Sequence, residues 1–101
     1  MAKLITVFWR DIPAQVMAKR GRTTSKVHLS ERFQVAIDRA AMRAGKGSSD
    51  AYLSEWRRES VVCSDDLDAE ARLAAERIEG KFTDQDLDTL ARAKGVRVSA
   101  E

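Results

Sequence analysis

Cysteine, histidine and proline each occur once in the 101 residues. Cys63 alone excludes an internal disulfide and a cysteine-built zinc site, and His28 alone excludes a paired-histidine metal site within one chain. Six aromatic residues leave few rings on which single-stranded nucleic acid could stack. No apolar run approaches the roughly 20 residues that span a bilayer, so no membrane partner is expected. The uncharged stretch after Lys3 stops at Arg10, after six residues, short of the about 7–15 apolar residues of a signal peptide. A reducing, cytoplasmic location is the expectation, and a single cysteine fits it. Repeats and low-complexity segments are absent as well.

What is present is an apolar fraction of 44% with 34% charged residues, the balance of one soluble globular domain with a modest core. The net charge of +2 hides a polarity. Residues 1–63 hold twelve Lys or Arg against six Asp or Glu, whereas residues 64–101 hold six against ten. Such an asymmetry points to a partner for the basic part, to attraction between the two ends within the fold or across a homo-oligomer, or to ordinary solvated faces.

The stretch Leu4–Arg22 carries apolar residues on both faces of its first run, as in a strand covered on both sides. Strand one is expected from about Lys3 to Trp9. Pro13 belongs in the following turn or at the start of strand two, because it cannot donate to a ladder. Strand two, Ala14–Arg20, places Val16 and Ala18 on one face and Gln15, Met17 and Lys19 on the other. Gly21 and Thr23-Thr24-Ser25 then mark a loop. Ser30 caps a helix carrying Phe33, Ile37, Ala40, Ala41 and Ala44 at amphipathic spacing, closed by Gly45 and Gly47. Ser48 or Ser49 opens a short helix in which Tyr52 and Trp56 share a face, and Arg57–Cys63 forms a third strand.

Ser64, Asp65 or Asp66 caps a third helix with Leu67, Ala71, Ala74, Ala75 and Ile78 inward, ended by Gly80. In the last helix Thr83 and Asp86 stand at the positions of a capping box, and Phe82 and Leu87 at those of a hydrophobic staple. Gly95 stops it, and Val96–Glu101 are expected either to fray or to have Val96 pack back on the helix end. The fold class is α+β: β-β-α-α-β-α-α, a three-stranded antiparallel sheet of order 2-1-3 whose faces are both at least partly covered by about four helices.

Candidate sites are few. Lys19, Arg20, Arg22 and Lys26, with Arg32, Arg39 and Arg43 on the next helix, form the one binding surface the pattern offers. Arginine suits carboxylates or phosphates through paired hydrogen bonds, so the surface fits a protein partner, nucleic acid, or solvent alone. Tyr52, Trp56, Arg57 and Arg58 have the composition of an interface anchor, and core packing of Trp56 is the alternative. Asp11 either organises the Arg10–Asp11 turn or belongs to a recognition turn. Cys63 lacks an adjacent His and lies near aspartates, which opposes a nucleophile. Asp84, Asp86 and Asp88 lack the glycine and distal glutamate of a calcium loop. No catalytic residue, metal ligand or cofactor site is expected, and the chain lacks the paired groups of an enzyme.

The segments WRDIPAQV (Trp9–Val16), SERFQVAIDRAAMRAG (Ser30–Gly45) and DAYLSEWRR (Asp50–Arg58) resemble the small bacterial virulence factor domain, which also occurs inside conserved virulence factor C proteins. Trp9, Asp11, Pro13, Phe33, Asp38 and Trp56 carry most of the resemblance, which covers Lys3 to Cys63. Residues 1–63 then form the α+β core resembling that domain, and 64–101 an acidic helical extension packed as part of it. The resemblance transfers no catalytic residue. It implies an accessory protein of one-carbon and corrinoid methyl-transfer systems, since stand-alone members often appear beside such genes. The expected function is a non-enzymatic adaptor or small subunit that binds a protein. The alternative is a nucleic-acid-associated domain using the basic arm at the end of strand two.

Overall fold

β1 (Ala2–Trp9) and β2 (Ile12–Arg20) form an antiparallel hairpin around the two-residue turn Arg10–Asp11. A computed structural model of the chain describes residues 2–45 and 49–96. Gly47, Ser48 and the tail after Val96, expected as helix boundaries and a frayed end, lie outside the described residues. Arg10 takes a φ of 55°, uncommon for a residue with a side chain. Its guanidinium is held on three sides, 3.3 Å from Glu55, 2.9 Å from the Lys94 carbonyl it donates to, and 5.3 Å from the centre of the Trp9 ring. Val7 pairs with Gln15 while Phe8 pairs with Pro13, so Ala14 is the additional residue of a bulge. Bulges are one of the few places inside a sheet that accept proline.

The sheet has four strands, not three. β3 (Thr23–His28) follows β2 through the Gly21–Arg22 turn, and β4 (Trp56–Cys63) pairs with the other side of β1, giving the antiparallel order β3-β2-β1-β4. The expected neighbours of β1 are therefore found, and Thr23-Thr24-Ser25, expected as a loop, is the start of an edge strand. The reason is visible in its exposure. β3 is solvated along most of its length, so its residues are polar, yet β-branched Thr and Val around a glycine turn are strand-forming.

Four helices complete the fold: α1 (Glu31–Arg43), α2 (Ser49–Leu53), α3 (Leu67–Lys81) and α4 (Asp84–Arg92). α3 packs on β2 and β3, and α1 packs on α4 and β2. Trp9, Ile12, Val16, Phe33 and Ile37 are fully buried in one core that also takes in Leu67, Ala71, Phe82, Leu87 and Leu90. Phe33 and Phe82 meet edge to face at 5.9 Å, a favoured aromatic geometry. The acidic helices thus share the core of the basic half. Arg32 pairs with Glu79 and Asp84, each at 3.1 Å, and Arg39 lies 3.8 Å from Asp88.

Several boundaries differ from expectation. The helical residue Gly80 does not end α3, which runs to Lys81. Trp56 is the first residue of β4 rather than part of the short helix, so its meeting with Tyr52 is tertiary, not helical. Thr83 and Asp86 form the expected capping box. At the other end of α4 two successive residues are left-handed, Lys94 with a φ of 65° and Gly95 with a φ of 83°. Lys94 donates to the Ala91 carbonyl and Gly95 to the Leu90 carbonyl, the two bonds of a Schellman cap. Gly95 also accepts from the Asp11 amide at 2.8 Å, fixing the end of α4 to the β1–β2 turn.

Candidate functional site

Because side chains alternate across a strand, the register fixes which residues share a face. Beneath α3 lie Leu4, Thr6, Val16, Ala18, Ser25 and Val27. The opposite face carries Lys3, Ile5 and Val7 of β1, Gln15, Met17 and Lys19 of β2, Thr24, Lys26 and His28 of β3, and Arg58, Ser60 and Val62 of β4. Among the described residues no helix lies across that surface. Only its end is closed, where Trp9 stacks on Tyr52 of α2 at 5.8 Å and donates its indole N–H to the Tyr52 carbonyl at 2.8 Å. Trp56, half-buried, stands edge-on to Tyr52 at 5.7 Å. The expectation that both sheet faces are covered therefore holds for this face only along one border.

The open face has a definite chemistry. Ile5, Val7 and Met17 run down its centre, and Val62 is 63% exposed beside them. Lys3, Lys19, Lys26 and Arg58 surround this strip, all of them exposed. None of the strand residues on the face is Asp or Glu. Lys3 stands directly opposite Lys19 across the β1–β2 ladder. Directly opposed like charges destabilise a sheet, and no carboxylate on this face offsets them. Where the face meets α1, a hollow of about 310 Å³ is lined by Val7, Ala14, Gln15, His28, Gln34 and Trp56. It offers an indole wall and the polar groups of Gln15 and His28 side by side.

The structure divides the residues singled out in the sequence. Lys19, Lys26, Trp56 and Arg58 come together on the open face, and Tyr52 supports Trp56 from behind. Arg20 points the other way and lies 3.6 Å from Asp65, and Arg22 is an exposed residue of the β2–β3 turn. Arg57 is also on the opposite face. It bonds to Asp11 at 3.2 Å and to Glu59, donates to the Arg10 carbonyl at 2.8 Å, and stacks 4.4 Å from the Phe8 ring centre. Asp11 and Arg57 thus clamp β4 onto the first turn. Lys3 and His28 belong to the open face but escaped the sequence reading. The signal was the alternation Thr24, Lys26, His28, visible only once Thr23–His28 is taken as a strand.

Several titratable groups outside this face are taken up by contacts within the fold. Burial, then Glu70 and Asp65, push the Cys63 thiol above its ordinary value, which disfavours the reactive thiolate. Partial burial alone would raise the Glu79 carboxyl, but it accepts from the Ser30 amide and hydroxyl and pairs with Arg32, which together hold it below the usual range. Ser30 therefore stands at the start of α1 with its hydroxyl turned to Glu79, not to the helix. Asp84 pairs with Arg32, Asp86 caps α4, and Asp88 pairs with Arg92 at 3.1 Å. Among the described residues there is no cluster of metal-ligating side chains, and no helix is long and apolar enough to cross a membrane.

A family model described as Virulence factor matches residues 7–91. The match runs past Cys63, where the sequence resemblance stops, through α3 and all of α4 but its last residue. No match is found among curated proteins or among solved structures.

Proposed function

The chain belongs to the virulence factor family, and we propose that it acts as a non-catalytic binding module whose open sheet face docks an acidic surface of a partner protein. One observation supports this above the others. Lys3 and Lys19 oppose each other on a face whose strand residues include four cations, an apolar strip and no carboxylate. A local conflict that weakens the isolated fold is expected where a site is built for something else. An acidic partner relieves the repulsion, and Ile5, Val7 and Val62 supply apolar area to the contact. Charge arranged in this way steers encounter and fixes orientation more than it sets affinity. The family resemblance directs the search for that partner to enzymes of one-carbon and corrinoid methyl transfer.

A second reading has its own support. A four-stranded antiparallel sheet with an uncovered cationic face is a platform on which single-stranded nucleic acid can lie, with bases stacked on aromatic side chains. Among the described residues the aromatics at the border of the open face, Trp9, Tyr52 and Trp56, are packed on one another and at least half-buried, which favours protein over nucleic acid.

The test is capture from the native host at low and high salt with three proteins. These are the wild type, the triple reversal Lys19→Glu/Lys26→Glu/Arg58→Glu, and a control reversal, Arg43→Glu/Arg72→Glu, on exposed helical positions. A stoichiometric protein, identified by mass spectrometry, is expected with the wild type and the control and lost with the triple reversal, most clearly at low salt where screening is least. Equal recovery by all three proteins overturns the assignment. Retention of single-stranded DNA or RNA that collapses steeply with salt, without a protein partner, installs the second reading.

A further inference from the structure

The helix-covered face of the sheet is covered over only half its width. α3 packs mainly on β2 and β3 and reaches β1 only along its flank, so among the described residues the far side of β1 and β4 have no helix packed closely over them. Two hollows of about 420 and 410 Å³ occupy that space and share Thr6, Ile78 and Lys81. They form one groove running from Leu4 to Pro13. Its floor is Leu4, Thr6 and Phe8, and its wall is the flank of α3 that carries Ala74 and Ile78. Val61, opposite Leu4 on the same face of β4, is 61% exposed at its far side. On α3, Leu73 stands one turn before the groove residue Arg77 and is 55% exposed. Two large apolar residues left in water beside the groove, one on β4 and one on α3, mark an unfinished contact.

We propose that this groove receives an amphipathic helix of a partner protein, with acidic residues along the flank that meets α3. From Leu4 to Phe8 the floor rises about 13 Å, the length of two to three helical turns. A helix is the fitting element because a sheet buries its apolar face against helices, and α3 leaves width for one neighbour. The charge argues for an acidic flank. Arg57 on the β4 side already engages Asp11 and Glu59, whereas Arg77 and Lys81 line the α3 side. A second copy of the chain offers no such helix. Among the described residues α1, α3 and α4 each turn their main apolar stripe into their own core and expose only isolated apolar residues such as Val35, Met42 and Leu73, and α2 has only five residues. This surface lies on the opposite side of the sheet from the cationic open face, so the two can be occupied together, as a bridging protein requires.

The experiment uses the isotope-labelled full chain and two stapled helical peptides of about eleven residues, three turns long, with the same leucine stripe. One peptide is flanked by Glu and the other by Lys. The Glu peptide is expected to shift the amides of Thr6, Phe8, Ile78 and Lys81 and to bind about tenfold more tightly than the Lys peptide. The variant Arg77→Glu/Lys81→Glu, altered only at exposed positions, should reverse that order. Lys19→Glu/Lys26→Glu should leave it unchanged. Equal affinity for both peptides, shifts confined to the open face, or no shift with either peptide overturns the proposal.

Discussion

Replacing Gly95 by Ala should unsettle the whole end of the sheet. Gly95 has a φ of 83°, and a Cβ placed on it falls 2.9 Å from Cζ3 and 3.2 Å from Cε3 of Trp9, and 3.3 Å from Cβ of Ala40. The left-handed backbone costs a residue with a side chain about 1–2 kcal/mol. Trp9 cannot step aside, since it is fully buried, stacked on Tyr52 and tied by its indole N–H to the Tyr52 carbonyl. Overpacking of a rigid core site adds about 1–3 kcal/mol. A combined loss of about 3 kcal/mol is a large part of the roughly 5–15 kcal/mol a small domain has, and lowers Tm by about 12–24 °C. Gly80 is the internal control. It is helical, and a Cβ there meets nothing within 4 Å, so Gly80→Ala should gain about 0.5–1 kcal/mol. Thermal and urea unfolding read both. Gly95→Asn separates the two causes, because asparagine accepts the left-handed conformation more readily but keeps the Cβ contact with Trp9. If Gly95→Ala melts with the wild type, the wedge between Trp9 and Ala40 does not exist and the argument for a rigid Trp9–Tyr52–Trp56 border fails with it.

Two further outcomes follow from the titratable groups. The Glu79 carboxyl is held below its ordinary value in the folded chain, so its contribution is present above the unfolded value and is lost as pH falls through the folded one. Glu79→Gln should therefore be less stable than wild type at neutral pH and lose less on acidification below about pH 4.3, and parallel stability–pH curves from urea melts would refute this. Cys63, pushed up by burial and then by Glu70 and Asp65, should alkylate with iodoacetamide more slowly at neutral pH than an unhindered thiol. A rate at or above that of a free cysteine would overturn the inert assignment.

Much of the fold was legible because the decisive residues act locally. Thr83 and Asp86 declare a helix start by bonding each other's backbone, and Phe33, Ile37, Ala40 and Ala41 face one core because a helix brings them round together. Gly95 was legible as a stop but not as a packing surface, since the side chain it must clear is Trp9, at the other end of the chain. β3 was missed because edge strands in water are built from Thr, Ser and Lys, the same residues that build loops. The pairing that reveals it, Val16 with Val27 and Ala18 with Ser25, is tertiary.

The candidate site was half legible for a related reason. Ile5 and Val7 alternate with Leu4 and Thr6, so the sequence of β1 looks like a strand with apolar cover on both sides. Whether a helix arrives on a given side depends on where α3 lands, and nothing in β1 encodes that. The charged residues show the same limit. Lys19 and Arg20 are adjacent and look like one basic arm, yet the pleat sends them to opposite faces, Lys19 to the open sheet and Arg20 to Asp65. The acidic second part of the chain neutralises the cations on its own side: Arg20 meets Asp65, Arg32 meets Glu79 and Asp84, and Arg39 meets Asp88. The basic excess of the first 63 residues is thereby sorted. Arg10, Arg20, Arg32, Arg39 and Arg57 each meet an acid inside the fold, whereas among the described residues no ion pair joins an acid to the cations of the sheet face, mostly lysines. That sorting, rather than the count of basic residues, is what makes the open face the place to look for a partner.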